Sequence, residues 1–385
     1  MKNKLFKVLS VLWIIAFSIG LVALIFKFVT GERLAGYGSY VPWGLWVALY
    51  FHAIGISGGV FAVGIIGYFL NLKGFRENLR VILLVAVAGV ITGLLSIWLD
   101  LGQGFRAYRV IFAPNFGSMM AFNAWMYNLF MITIVAIFFL SLKKQKPTDL
   151  NDTSGWLAPL LSLGFVFSIM YPSQSGAFFG VVDAKPFWSS PLLPILFLVS
   201  AITSGSAVLL LVFTFLHPED TDLKANPIRM LRWVTIIGII LYFIAEFAEY
   251  SLTYWSPNSH IREAVHLVLF GPFWWVFWLV HVGGALVAMY LLFRRKSLPA
   301  IGTGAFIVAL TFVSARLNIL IPGQAVSELK GLKDAFYHER LRYDYTATLN
   351  EYLIALFIGA FGVGLVYFGY KLLSKYTQKK VRYEK

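Results

Sequence analysis

Ten stretches of roughly twenty apolar residues constrain this chain more than any other feature. An apolar run of that length matches the hydrocarbon thickness of a bilayer. Inside a bilayer the backbone must satisfy its own polar groups, which leaves helices as the economical solution for single runs. The runs cover 6–29, 43–72, 78–103, 118–142, 155–172, 190–216, 228–252, 270–293, 298–320 and 349–374. Composition agrees: of 385 residues 59% are hydrophobic and only 13% charged, against about 25% charged in soluble domains. The expected fold is an all-α integral membrane protein forming a single polytopic domain, 1–385. Lys2, Lys4 and Lys7 precede the first run as they would in a signal peptide. Its apolar core is too long and lacks a small-residue cleavage site, so it is read as an anchor.

The net charge of +14 follows from the loops and calls for no nucleic acid. Lys and Arg at the N-terminus, in the connections after every even-numbered run and at the C-terminus number 21 of the 32. By the positive-inside bias both termini are expected to face the cytoplasm. The connections at that end, such as 143–154 and 294–296, are short and polar. Those at the other end (30–42, 104–117, 173–189, 253–269 and 321–348) are longer and rich in aromatics, Gly and Pro, a composition that suits partner docking. The absence of cysteine removes iron–sulfur ligation, thiolate zinc sites and disulfides from this chain.

A weak repeat of about 150 residues runs through the interior. Ser57-Gly58 answers Ser204-Gly205, Asp100 answers Glu249, and Phe116-Gly117 answers Phe270-Gly271. The expected organisation is two four-helix bundles, helices 2–5 (43–172) and 6–9 (190–320), flanked by helices 1 and 10.

Ionisable groups inside a bilayer are costly and point to function. In the second run, YVPWGLWVALYFHAIGISGGVF, Pro42 suits a first helical turn, and His52 shares its face with Gly55 and Gly59. That face reads as a ledge with room for a flat ring; the plainer alternative is that the glycines admit a neighbouring helix. Asp100 carries Ser96 and Gly93 on its own face, and a carboxylate near a histidine suits a quinol that releases protons. A structural pairing of Asp100 with Arg106 or Arg109 is the alternative. Asn123 and Tyr127 lie on the fourth run. Glu246 and Glu249, three residues apart with Tyr242 a turn below, form either a proton-holding pair or a salt bridge with Arg316. His52 and His281 form one candidate pair of axial ligands for a haem b.

The segments PWGLWVALYFHAIGISGG, DLGQ at 100–103, FNAWMYN at 122–128, KPFWSSPLLPILFLVSA at 185–201, RLNILIPG at 316–323 and YDYTATLNEYLIA at 343–355 together resemble the NrfD/PsrC family of quinone-reactive membrane subunits, in its ten-helix branch. That branch includes membrane subunits of periplasmic hydrogenases, sulfur-metabolism complexes and alternative complex III. The resemblance implies a subunit with no haem or iron–sulfur cluster of its own. It would pass electrons between membrane quinone and a ferredoxin-like iron–sulfur subunit on the outer face, which serves a molybdopterin or hydrogenase catalytic subunit; no catalysis is expected of this chain alone. It places His52 and Asp100 as quinone and proton residues. Gly55, Gly59, Asn123, Tyr127 and Arg106 complete the candidate quinone set. Asp100, Glu246, Glu249, His281 and Arg316 are the proton-transfer candidates. Leu49 departs from the family pattern, where some members hold a polar residue. A secondary transporter is the competing class; the absence of Pro from the middles of helices 2 and 6 argues against it.

Overall fold

The computed structural model describes residues 2–143, 156–216, 221–295, 297–329, 331–335, 338 and 341–383. The short connection 143–154 therefore lies almost entirely outside the described residues. Among the described residues, ten helices are long and apolar enough to cross a membrane: α1 (Phe6–Thr30), α2 (Leu45–Phe69), α3 (Leu79–Asp100), α4 (Met119–Leu142), α5 (Leu157–Gly180), α6 (Leu193–Phe215), α7 (Pro227–Tyr254), α8 (Val276–Arg294), α9 (Leu298–Ala325) and α10 (Leu349–Tyr376). The chain is an all-α integral membrane protein, and the described residues contain no strand.

The most buried span is α2. It packs against α3, α5, α6 and α9, while α6 in turn contacts α5, α7 and α9. Around this central pair α4 closes against α3 and α5, α8 lies against α7 and α9, and α10 packs on α1 and α3. Small residues make the α2–α6 contact possible. A Cβ on Gly59 would lie 1.9 Å from Ala201 O, and one on Gly205 would lie 2.3 Å from Val60 N. The two backbones touch, as small residues allow in membrane helices.

Two helices outrun their expected ends because proline is tolerated inside them. Helix α5 continues through Pro172 to Gly180, eight residues beyond the expected limit, and α9 continues through Pro322 to Ala325. A proline leaves the carbonyl four residues earlier without its helical partner. For Pro322 that carbonyl belongs to Asn318, and Tyr250 OH donates to it at 3.4 Å. Trp188 Nε1 donates to the next carbonyl, Ile319 O, at 2.8 Å. Neighbouring side chains thus re-satisfy the backbone, as a proline inside a bilayer requires.

Pro42, by contrast, precedes its helix. Gly44 is the N-cap of α2 and offers no side chain; Tyr345 OH instead accepts from Leu45 N at 2.8 Å and donates to Glu351 Oε1 at 2.8 Å. Glu351 also accepts from Thr348 N at 2.9 Å, while Thr348 Oγ1 accepts from Glu351 N at 3.3 Å. The sequence Thr348-Leu-Asn-Glu351 is thus a capping box opening α10, and one carboxylate ties the starts of α2 and α10 together. Part of the 253–269 connection folds into a short helix, Ser259–Leu269, capped by Asn258.

Irregular winding is concentrated in the second half. Val276–Gly283 of α8 is wound as a π-helix, and α9 is divided at Phe312 into Leu298–Thr311 and Val313–Ala325. π-Turns inside helices are frequently functional.

Candidate functional site

The polar interior is organised by which face of α2 each neighbour meets. Against α3 lie Trp46, Tyr50, Ile54 and Ser57: Ser96 Oγ donates to Trp46 O at 2.7 Å, Ser57 Oγ donates to Ala86 O at 2.6 Å, and Gly93 abuts Ile54 and Tyr50. On the opposite side, about 180° round the helix by its 3.6-residue period, lie His52, Gly55 and Gly59, which meet α6 and α9. Asp100 continues the α3 face that meets α2, near the level of Trp46. By this spacing His52 and Asp100 lie on different sides of α2. A headgroup between helices 2, 3 and 4 that touched both, as expected above, would have to reach two different sides of α2.

The two glycines divide as well. Gly59 is filled by the α6 backbone and offers no ledge, so the plainer alternative holds there. Gly55 is looser: a Cβ would stand 3.4 Å from both Ala201 Cβ and Arg316 Nη2. Asn123 accepts from Ser175 Oγ at 3.2 Å, and the Tyr127 ring lies 6.4 Å from that of Tyr50. Neither is hydrogen-bonded to His52. Arg106 is exposed on the turn Gly104–Arg106.

His52 is 7% exposed, and its Nε2 lies 2.8 Å from Ala309 O. A carbonyl only accepts, so Nε2 carries the hydrogen and a neutral ring has Nδ1 as an acceptor. Across from it, on α9, Arg316 is 3% exposed. Its guanidinium carbon stands 3.8 Å from the Phe197 ring centroid, and Nη2 donates to Phe197 O at 3.1 Å. Nε and Nη1 have no hydrogen-bond partner. Asn318, two residues on, is 2% exposed with both amide atoms unpartnered.

A second polar group lies between α7, α8 and α9. Glu246 Oε1 accepts from Tyr242 OH at 3.2 Å, and Glu246 Oε2 pairs with His281 Nε2 at 3.1 Å. His281 Nδ1 meets Ser314 Oγ at 2.9 Å, and Ser314 Oγ also approaches Thr311 O. Ser314 has one hydrogen and two acceptors competing for it. If it donates to Thr311 O, His281 donates from both nitrogens and pairs as a cation with Glu246; if it donates to Nδ1, the imidazole is neutral. The Ser314 hydroxyl can turn to match either arrangement. Both His281 nitrogens are thereby engaged.

Glu249 does not join Glu246; it accepts from Ser190 Oγ at 2.5 Å. No ion pair links either glutamate to Arg316 among the described residues. The expected carboxylate pair and the expected Arg316 salt bridge are both corrected, because α7 turns the two acids to different neighbours. Ser314, Asn318 and Phe197 are the site residues that sequence reasoning missed. The R-x-N spacing at 316–318 was the available signal for Asn318.

At the long-loop end Lys185 joins the last turn of α9 to the loop beyond. Its Nζ contacts Gln324 O and Val326 O at 3.4 Å each and pairs with Glu328 at 2.6 Å. Burial pushes the Glu328 carboxyl up, but the hydrogen bonds it accepts, from Lys185 foremost, and the Lys185 charge together outweigh this and hold the group below its usual range. Burial and the adjacent Glu328 charge push Tyr343 up to about 12. Tyr343 also stacks on Tyr40 with ring centroids 4.5 Å apart.

Comparison with known proteins bears on what this interior serves. Residues 34–328 match the family model described as "Polysulphide reductase, NrfD". That region holds α2–α9 and leaves α1 and α10 outside. Component C of the Mesobacillus selenatarsenatis selenate reductase is 27% identical, over 96% of this chain and 92% of its own. The Hdr-like menaquinol oxidoreductase integral membrane subunit of Archaeoglobus fulgidus is also 27% identical, over 90% and 88%. Component C of the Wolinella succinogenes polysulfide reductase is 24% identical over 74% of this chain and 95% of its own. With the match spanning the eight central helices and the long relatives aligning almost end to end, the chain belongs to the NrfD/polysulfide reductase family of membrane subunits.

Proposed function

We propose that this chain is the quinone-reactive membrane subunit of a respiratory oxidoreductase complex. It exchanges electrons between membrane quinone and an iron–sulfur subunit docked on the long-loop face, and that subunit serves a reductase-type catalytic partner. The family match supports this, as do relatives named for menaquinol oxidation, selenate reduction and polysulfide reduction. The observation that carries the site is His52 at the α2–α6–α9 seam, buried, with Nε2 bonded to Ala309 O and Nδ1 left as an acceptor. A quinol hydroxyl donates to such an acceptor and can pass its proton to it. Glu246, His281 and Ser314 act as a proton store in the second bundle. The two four-helix bundles meet along α2 and α6, the first packed on α10 through α3 and the second holding this store.

The test is made on the assembled complex. The tagged chain should copurify with an iron–sulfur protein. H52L should abolish quinol-linked turnover and leave soluble-dye turnover intact, since the dye bypasses the membrane. D100N, on the far side of α2, should leave quinol turnover within about threefold of wild type, under roughly 0.7 kcal/mol of barrier. Unchanged quinol turnover in H52L would remove His52 from the site. Purification of the chain without any iron–sulfur partner would remove the function.

A further inference from the structure

We propose that Arg316 is the charge-holding residue of the quinol site: with His52 it binds one substrate oxygen, His52 Nδ1 taking its proton and Arg316 facing the anion left behind. This rests on the quinone-reactive reading above and extends it to a residue that reading does not require.

Arginine stays protonated even when buried, so it cannot serve as a proton carrier in a relay. A fixed buried cation is costly unless something answers its charge. Among the described residues no carboxylate does so. Glu246 is occupied by Tyr242 and His281, and Glu249 by Ser190. The guanidinium is nevertheless held firmly, lying on the Phe197 ring with Nη2 bonded to Phe197 O. Two of its three nitrogens remain for a ligand. Gly55, one turn from His52, borders the guanidinium: a Cβ there would stand 3.4 Å from Nη2.

The chemistry of the pair is directional. An acceptor nitrogen beside a permanent cation suits a hydroxyl that is losing its proton; it does not suit a carbonyl, which offers His52 Nδ1 no hydrogen. The step is a proton transfer alone. The substrate O–H bond breaks, an N–H bond forms on Nδ1, and the electron pair stays on oxygen. Net charge in the pocket is unchanged, and the new anion lies between two cations. In low dielectric a prearranged cation of this kind is worth far more than in water.

The experiment measures turnover of the assembled complex with a short-tailed naphthoquinol, using dye-linked turnover as the control. R316Q should lower kcat by about 100-fold or more, the scale of a lost charge-stabilising donor, with KM changed less than about threefold. R316K keeps the charge and should recover to within about tenfold of wild type. Lysine no better than glutamine, a loss confined to KM, or R316Q within about threefold of wild type would each overturn the proposal. A second measurement needs no variant. The unmodified complex should bind a hydroxyquinoline N-oxide at least about tenfold (1.4 kcal/mol) more tightly than its O-methyl ether, and equal affinities would overturn the proposal. If H52L abolishes turnover while R316Q does not, the quinol function stands and the role of Arg316 falls.

Discussion

Gly55 and Gly59 occupy one helix face four residues apart and do different work. A Cβ at Gly59 runs into the Ala201 backbone, which cannot step aside without moving α6. G59A should therefore cost about 1–3 kcal/mol, the range for overpacking a close contact, read as a lower thermal midpoint of the solubilised complex. G55A meets only ordinary contacts and should unfold at the wild-type temperature. It does add a methyl group against the Arg316 guanidinium, so on the proposed reading it should raise the KM for quinol. Sequence spacing puts both glycines on the His52 face, and that is all spacing can do. Whether a small residue borders a ligand or a helix depends on the partner's position, which is a property of the packed structure. Glu246 and Glu249 teach the same lesson. Their separation of three residues reads as a pair, yet His281 and Ser190, each from a different part of the chain, claim them separately.

Among the elements, the middles of the spans were legible and their ends were less so. Hydropathy finds α5 and α9, but Pro172 and the segment around Pro322 read as stops when only the local rule is applied. Tyr250 and Trp188 overrule that rule at α9 by taking the exposed carbonyls, and neither is near in sequence. The start of α2 is set in the same non-local way. Its first amide is capped by a tyrosine 300 residues on. Y345F should leave Leu45 N buried and unpaired and take a donor from Glu351, at about 1–3 kcal/mol. Hydrogen exchange should show faster opening of the first turn of α2, with the capping box at Thr348 intact. Protection equal to wild type at Leu45 would mean that the cap is not needed. The π-wound start of α8 and the division of α9 at Phe312 have no sequence signature that the hydropathy pattern reveals, yet they flank His281 and Ser314.

For the whole molecule, the ten-helix count fixes that both termini lie on one side, and the charge distribution selects the side we propose. The short-loop end carries 21 of the 32 Lys and Arg. Five of the other eleven lie in the last long loop or at Arg316, so the bias among the short loops is steeper than the totals. Positive charge near helix ends resists translocation, which favours termini in the cytoplasm and long loops outside. That orientation also puts the Lys185–Glu328 network, the short helix Ser259–Leu269 and the outer ends of α2 and α9 on the face where an iron–sulfur partner would dock. His52 lies seven residues below Leu45 on that side, roughly 10 Å at 1.5 Å per residue. The chain has no cysteine, so a single introduced thiol reports one position without background. A cysteine at Ser259 should react with an impermeant maleimide added to intact cells. One at Ser154, in the short connection outside the described residues, should react only after the membrane is opened. Labelling of both from the same side would refute the ten-span topology, and labelling with the sides exchanged would move the docking face, and the electron partner with it, into the cytoplasm.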